Sequence, residues 1–236
     1  MDHNDVKKIF LFSDLSDNEA KLIYENSVFK TFDKGEMIFF DSEPYQGFYG
    51  VLEGSVKIYK ISKDGKEHII HFIEKGNTFA EVPLFERWSD SRQEVTYPAN
   101  TMALEEDTQL ILIRSECFLS VLEKDPGLCM KMLASVSKRM RYLTKHIEDL
   151  TLKDITKRLA GYLVLEYNKS TSSGSHPASP DTIELDISKY DLACYLGTIN
   201  ETVSRVFRKL QDEDILHVDG RNITIKNLPL LKEVAK

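Results

Sequence analysis

A single glycine between two short apolar-periodic segments constrains this chain more than any other feature. In residues 188–212, SKYDLACYLGTINETVSRVFRKLQD, Leu192, Ala193 and Leu196 mark the apolar face of a short first helix. Gly197 then stands where two helices joined by a sharp turn need a backbone position free of a side chain. Thr198 and Glu201 are three apart, the spacing of a capping box, and predict that Thr198 starts the second helix. Along that helix Val203, Phe207 and Leu210 recur at four- and three-residue steps and face inward. Glu201, Ser204, Arg205 and Arg208 fall on the opposite side. Such a face offers cytosine N4 an acceptor and guanine O6 and N7 a guanidinium fork. Downstream, Ile215–Val218, the Asp219-Gly220 turn and Asn222–Ile225 read as a hairpin. A helix-turn-helix followed by such a wing points to double-stranded DNA as partner.

The charge balance agrees once it is divided. The net charge of −7 over 236 residues looks wrong for a nucleic-acid binder. Residues 151–236, however, hold 12 Lys and Arg against 12 Asp and Glu, so the whole acidic excess lies in residues 1–150. Phosphate would repel that N-terminal part. The C-terminal part must bind through a local patch and base contacts, which favours specificity over bulk affinity.

Other classes are excluded by what the sequence lacks. No segment approaches the apolar length of a membrane span, and MDHNDVKKIFLF at the start has no secretion-signal pattern. Cys117, Cys129 and Cys194 are scattered, which suits a reducing cytoplasm and argues against disulfides or an iron–sulfur cluster. No nucleophile elbow, P-loop, His-Glu-x-x-His or dinucleotide fingerprint appears, so an enzyme is not expected.

Before the long helical signal, periodicity divides the chain in two. Val6, Ile9 and Phe10 suggest one helix within residues 1–27, and Ser16 begins a second carrying Ala20, Leu22 and Ile23. Seven short β-type runs follow: Val28–Phe32, Met37–Phe40, Phe48–Leu52, Ser55–Ile61, His68–Ile73, Thr101–Leu104 and Leu110–Ile113. Glycine turns between them argue a sandwich or barrel, with Lys63–Lys66 as a hairpin turn. Pro126 suits the start of a helix in which Leu133, Val136, Met140, Leu143, Ile147 and Leu150 alternate at steps of three and four. That seam predicts a parallel pairing of two copies. Two recognition helices related by a two-fold axis fit a palindrome with half-sites about 34 Å apart. A further helix is expected over Lys153–Glu166, a polar mobile loop over Lys169–Pro180 and a strand over Thr182–Ile187. The expected class is α+β: a strand-rich domain with N-terminal helices over 1–125, a dimerisation helix over 126–152 and a winged helix-turn-helix domain over 153–236.

With these features in hand, the chain resembles the CRP/FNR superfamily of bacterial transcription regulators. The resemblance rests on the glycine-spaced strands, GNTFAEVPLF (76–85), the a/d helix, ETVSR (201–205) and LHVDGRNITI (216–225). It implies a cytoplasmic homodimer in which an N-terminal β-roll senses an effector and controls the winged helix, with RNA polymerase a partner if the protein activates. ETVSR is similar to the FNR branch, which reads TTGA-type half-sites. Glu201 and Arg205 would then read base pairs, Ser204 tune another and Thr202 touch phosphate, with Asn200 and Arg208 completing the DNA-facing set. Cyclic-nucleotide members bind ribose through a Glu, matched by Glu81, and the cyclic phosphate through an Arg-Ser pair. Tyr97-Pro98 stands there instead and offers no cation, and Arg92 would need a shifted alignment, so a cyclic nucleotide is disfavoured. No cysteine precedes Cys117, which excludes the family's cluster-based oxygen sensing. NTFAE (77–81) and HVDGR (217–221) look most like the nitrosative-stress branch, the regulators of dissimilatory nitrate respiration and of the hybrid-cluster protein. That branch implies nitric oxide sensing through a non-covalent haem b. Its axial ligand would be His71 or His146, with Met130, Met132 and Met140 as softer candidates. Without haem, His71 is a hydrogen-bonded strand residue and His146 a partly exposed helix residue, and the effector is a cyclic nucleotide or another small molecule.

Overall fold

The computed structural model describes residues 2–89, 95–173 and 181–236. It falls into two compact units, Met1–Arg139 and Met140–Lys236.

The N-terminal unit begins with α1 (His3–Val6), a 3₁₀ turn (Phe10–Phe12) and α2 (Asp17–Glu25). Ser16 starts α2 as expected: its side chain accepts from the Glu19 amide while its own amide donates to Glu19 Oε2 at 2.9 Å. The first helix is shorter than its periodicity suggests, and Ile9 and Phe10 lie beyond its end. Eight strands follow: β1 (Ser27–Phe32), β2 (Met37–Phe39), β3 (Phe48–Glu53), β4 (Ser55–Ile61), β5 (Glu67–Glu74), β6 (Thr78–Phe79), β7 (Asn100–Ala103) and β8 (Thr108–Ile113). They form two antiparallel sheets, β1-β8-β3-β6 and β2-β7-β4-β5. All seven expected runs are strands. Two-residue β6, the helix α3 (Val82–Ser89) and the helix α4 (Ser115–Leu122) had no sequence forecast.

Strand β8 shows why the roll closes. Leu110 and Leu112 point inward to Phe39, Tyr49, Val51, Val56, Ile73, Phe79 and Tyr97. Ile111 and Ile113 join the other face with Ile9, Phe12, Ile23, Phe48 and Phe118. A strand buried on both faces reads as a continuous apolar run, as QLILI does here. In the neighbouring strand, Gly50 lets the N-terminal segment lie against the sheet: a Cβ there would fall 2.2 Å from Ile9 Cδ1.

α5 is one helix of 27 residues, Pro126–Leu152, with Leu128 and Met132 its buried residues. The expected seam is largely uncovered in the single chain: Leu133 is 60% exposed, Val136 46%, Met140 65% and Ile147 61%, while Leu143 and Leu150 are half-buried.

The C-terminal unit adds α6 (Ile155–Ser173), β9 (Thr182–Glu184), α7 (Lys189–Tyr195), α8 (Asn200–Asp212), β10 (Leu216–Asp219), β11 (Asn222–Ile225) and α9 (Leu228–Val234). Two expectations are corrected. The loop forecast from Lys169 does not start there, because α6 continues to Ser173. Ser170 and Thr171 hydroxyls donate back to the Tyr167 carbonyl and stay helical. The rest of that forecast, 174–180, lies outside the described residues. The strand forecast to Ile187 stops at Glu184. Ser188 then caps α7, accepting from the Asp191 amide at 3.0 Å. Among the described residues no helix is long and apolar enough to cross a membrane.

Candidate nucleic-acid interface and sensor pocket

Gly197 does what its position predicts and more. Its φ of +65° places it in the left-handed region after Leu196 ends α7. The Thr198 amide donates to the Ala193 carbonyl at 2.9 Å and the Gly197 amide to Cys194 at 3.4 Å. This is the double closure of a Schellman ending, which a glycine permits cheaply. The expected capping box is therefore overturned. Thr198 closes the first helix, and Ile199 is the N-cap of α8 with no side-chain cap bond.

α8 divides as its spacing dictates. Val203, Phe207 and Leu210 are buried, joined by Val206. Asn200, Glu201, Ser204, Arg205 and Arg208 are exposed and Thr202 half-buried: Glu201, Ser204, Arg205 and Arg208 share one accessible side of α8, with Asn200 and Thr202 on its two flanks at the first turn. β10 and β11 pair antiparallel across the two-residue turn Gly220–Arg221, and β9 extends the sheet on β11. Gln211, which the sequence had not marked, ties the wing to α8 by accepting from the Val218 amide at 2.9 Å.

In the N-terminal unit Glu81 is buried but its carboxylate is taken. Arg139 Nη1 donates to Glu81 Oε2 at 2.9 Å and Nη2 to the Thr78 carbonyl at 2.7 Å. The Thr78 hydroxyl donates to Glu81 Oε1. Beside them remains a cleft of about 20 Å³ bordered by Leu11, Met132, Ser135 and Val136. That volume does not admit a nucleotide. Arg139 escaped sequence reasoning, although a signal existed: it stands seven residues after Met132, so whatever covers one helix position covers the other.

Tyr97 lines no effector cavity. Its ring stacks on Phe39 at 3.8 Å and 11°, and its hydroxyl donates to the Gly47 carbonyl at 2.9 Å. Tyr49 stacks on Phe79 at 5.3 Å, so aromatic rings fill the roll. Burial pushes the Tyr97 and Tyr49 hydroxyls above the ordinary tyrosine range. Arg92 lies outside the described residues.

The two candidate histidines belong to different units. His71 is half-buried on β5 opposite Ile58 in the N-terminal unit. His146 belongs to the C-terminal unit, its ring stacked on Tyr195 at 4.5 Å and 19°. Met132 is packed in the helical core, while Met130 and Met140 are exposed. A haem needs an axial donor facing an apolar slot wide enough for a porphyrin. Aromatic rings fill the roll, and the space that His146 borders, about 260 Å³, is smaller than a porphyrin, so the residues present do not fit haem b.

Two family models match this chain: the cyclic nucleotide-binding domain over residues 29–125 and the Crp-like helix-turn-helix domain over residues 157–234. The cyclic AMP receptor protein of Thermus thermophilus is 25% identical over 225 residues, 95% of this chain and 96% of its own. The structure of FixK2 from Bradyrhizobium japonicum superposes with a TM-score of 0.74 at 24% identity, over 89% of this chain and 98% of that one. A CooA mutant from Carboxydothermus hydrogenoformans gives 0.75 at 21% identity, over 97% and 95%. These similarities do not single out the nitrosative-stress branch.

Proposed function

Because this chain is a transcription regulator of the CRP/FNR family, with a cyclic nucleotide-binding-type roll and a Crp-like helix-turn-helix, we propose that it acts as a cytoplasmic homodimer on a palindrome of TTGA-type half-sites. The relatives it matches are regulators rather than enzymes. The observation that carries the proposal is α8, whose buried base of Val203, Phe207 and Leu210 holds Glu201, Ser204, Arg205 and Arg208 out to solvent beside a wing. Glu201 and Arg205 supply the acceptor and the fork that major-groove base edges require. With no side-chain cap at Ile199, the Asn200 and Glu201 amides of α8 stay available to a phosphate, while the Thr202 amide already donates to the Ile199 carbonyl at 3.0 Å and leaves its hydroxyl for that contact. The uncovered seam on α5 supports pairing with a second copy.

Effector control would run through the Glu81–Arg139 pair, which links the roll to α5 inside one compact unit. A ligand that competes for Glu81 frees Arg139 and changes which arrangement of the dimer helix is favoured. It shifts the population only by its differential affinity, typically about 1–3 kcal/mol of coupling. The geometry offers no seat for a porphyrin, which weighs against haem and nitric oxide as the effector system. The occupied Glu81 and the buried Tyr97 likewise weigh against a cyclic nucleotide. RNA polymerase becomes a partner if the bound dimer activates.

Fluorescence anisotropy with a labelled duplex carrying two TTGA half-sites tests this. Binding should be tighter than to a scrambled duplex by about 10³-fold or more at physiological salt. Equal affinity for both would refute sequence-specific binding to this site.

A further inference from the structure

The last turns of α5, together with α6 and α7, border a partly open cavity of about 260 Å³ that the DNA-binding function does not use. All of its lining belongs to the C-terminal unit. Part of the wall is aromatic. His146 stacks on Tyr195, Tyr162 stands 5.7 Å from the same ring, and the Tyr142 and Tyr195 hydroxyls share a hydrogen bond of 2.6 Å. Burial raises both of those hydroxyls, so they stay neutral and set no negative charge against an anion.

The charged lining is unbalanced. Lys145, Lys153 and Arg158 face the cavity with Asp149 as the one carboxylate among its lining residues. Asp149 is already shared by the two lysines, at 3.3 and 3.2 Å, and Lys153 also donates to the Ala235 carbonyl at 2.7 Å. Arg158 Nε is buried with no hydrogen-bond partner among the described residues. A charged donor left in that state is costly and calls for an acceptor.

Gly161 is the second sign. It lies inside α6 and borders the cavity, where a glycine is less favourable than alanine. A Cβ there would meet nothing within 4 Å, so no neighbour demands the glycine. What its missing side chain leaves is volume. An apolar cavity of about 150 Å³ suffices for benzene, and drug-sized ligands occupy about 300 Å³ or more. The space here suits one ring with one or two substituents.

We propose that this cavity is a binding site for a small aromatic carboxylate, its ring against the His146–Tyr195 stack and its carboxylate on Arg158. α7, which contributes Tyr195, leads straight into the Gly197 turn, so the ligand would brace the helix that precedes the DNA-facing one.

Calorimetric titration of the full chain, without DNA, with benzoate, salicylate and neutral benzamide tests the site. Saturable binding of one carboxylate per chain, about tenfold or more tighter than benzamide, is expected. Arg158→Met should erase that preference. Gly161→Leu should abolish binding with the circular dichroism and melting temperature retained. Absence of saturable binding at millimolar ligand, or binding that survives in a folded Gly161→Leu protein, would overturn the proposal. If the leucine variant does not fold, amide shifts of the wild-type chain decide: changes centred on His146, Arg158 and Gly161 support the site, and changes elsewhere refute it.

Discussion

Replacing Arg139 by methionine would expose how the roll is tied to α5. The change keeps the stem of the side chain and removes the guanidinium. Two donations disappear, to Glu81 at 2.9 Å and to the Thr78 carbonyl at 2.7 Å. Glu81 is left as a buried carboxylate held by the Thr78 hydroxyl alone. Breaking a fully buried pair in this way costs about 3–5 kcal/mol. The Arg139 side chain is 27% exposed, so water offsets part of the loss and about 2–3 kcal/mol is the expected destabilisation of the N-terminal unit. The reverse change, Glu81→Gln, keeps the shape and leaves Arg139 its bond to Thr78. It should cost less, about 1 kcal/mol. The double variant should be more stable than Arg139→Met alone, because the buried charge has gone. Urea unfolding followed by far-ultraviolet circular dichroism, fitted with separate transitions for the two units, measures all four proteins. A loss under about 0.5 kcal/mol for Arg139→Met, or additive single effects, would refute a coupled pair.

Further outcomes follow from the same structure. Arg205→Ala should cost about 1–3 kcal/mol of binding concentrated at one base pair, read by anisotropy on single-substituted duplexes; a uniform loss would make Arg205 a phosphate contact. Val136→Asp with Met140→Asp should convert a dimer to a monomer in light scattering without unfolding it, since both residues are exposed in the single chain. Gly197→Ala should destabilise the C-terminal unit by about 1–2 kcal/mol, because alanine pays for the left-handed backbone. The added Cβ would also press on Leu150 Cδ2 at 3.1 Å. Burial raises the Tyr49, Tyr97, Tyr142 and Tyr195 hydroxyls, so the folded state prefers them protonated. Their contribution is complete below the unfolded tyrosine pKa of about 10 and is lost as pH rises beyond it. A melting temperature that does not fall in that alkaline window would contradict the burial.

Legibility in the sequence followed the range of the interactions. The strands of the roll and the inner face of α8 could be read because burial alternates along the chain itself, as in Val203, Phe207 and Leu210. The turn at Gly197 was readable for the same local reason. Thr198 was misassigned because two local motifs compete for one residue, and the Schellman closure of α7 outweighed a cap for α8. Arg139 was missed because its partner lies 58 residues away: the heptad spacing from Met132 signals that the position is covered, and nothing local says that Glu81 covers it. The histidines were singled out by residue type, and only packing could show that one sits on a strand of the roll and the other against Tyr195. Ser170 and Thr171 look like loop formers by composition, yet back-bonding to Tyr167 keeps them in α6.

Strand β8 is a partition with no spare side. Leu110 and Leu112 belong to the chamber of the roll, while Ile111 and Ile113 belong to the helical layer that also takes in Leu128 and Met132 of α5. Anything that swells the chamber must push the partition outward, and the first turns of α5 rest on the layer beyond it. Close-packed interiors compress poorly, so that displacement is handed on rather than absorbed. A molecule entering the roll would thus move the first turns of α5 mechanically, even if it never touched a residue of that helix.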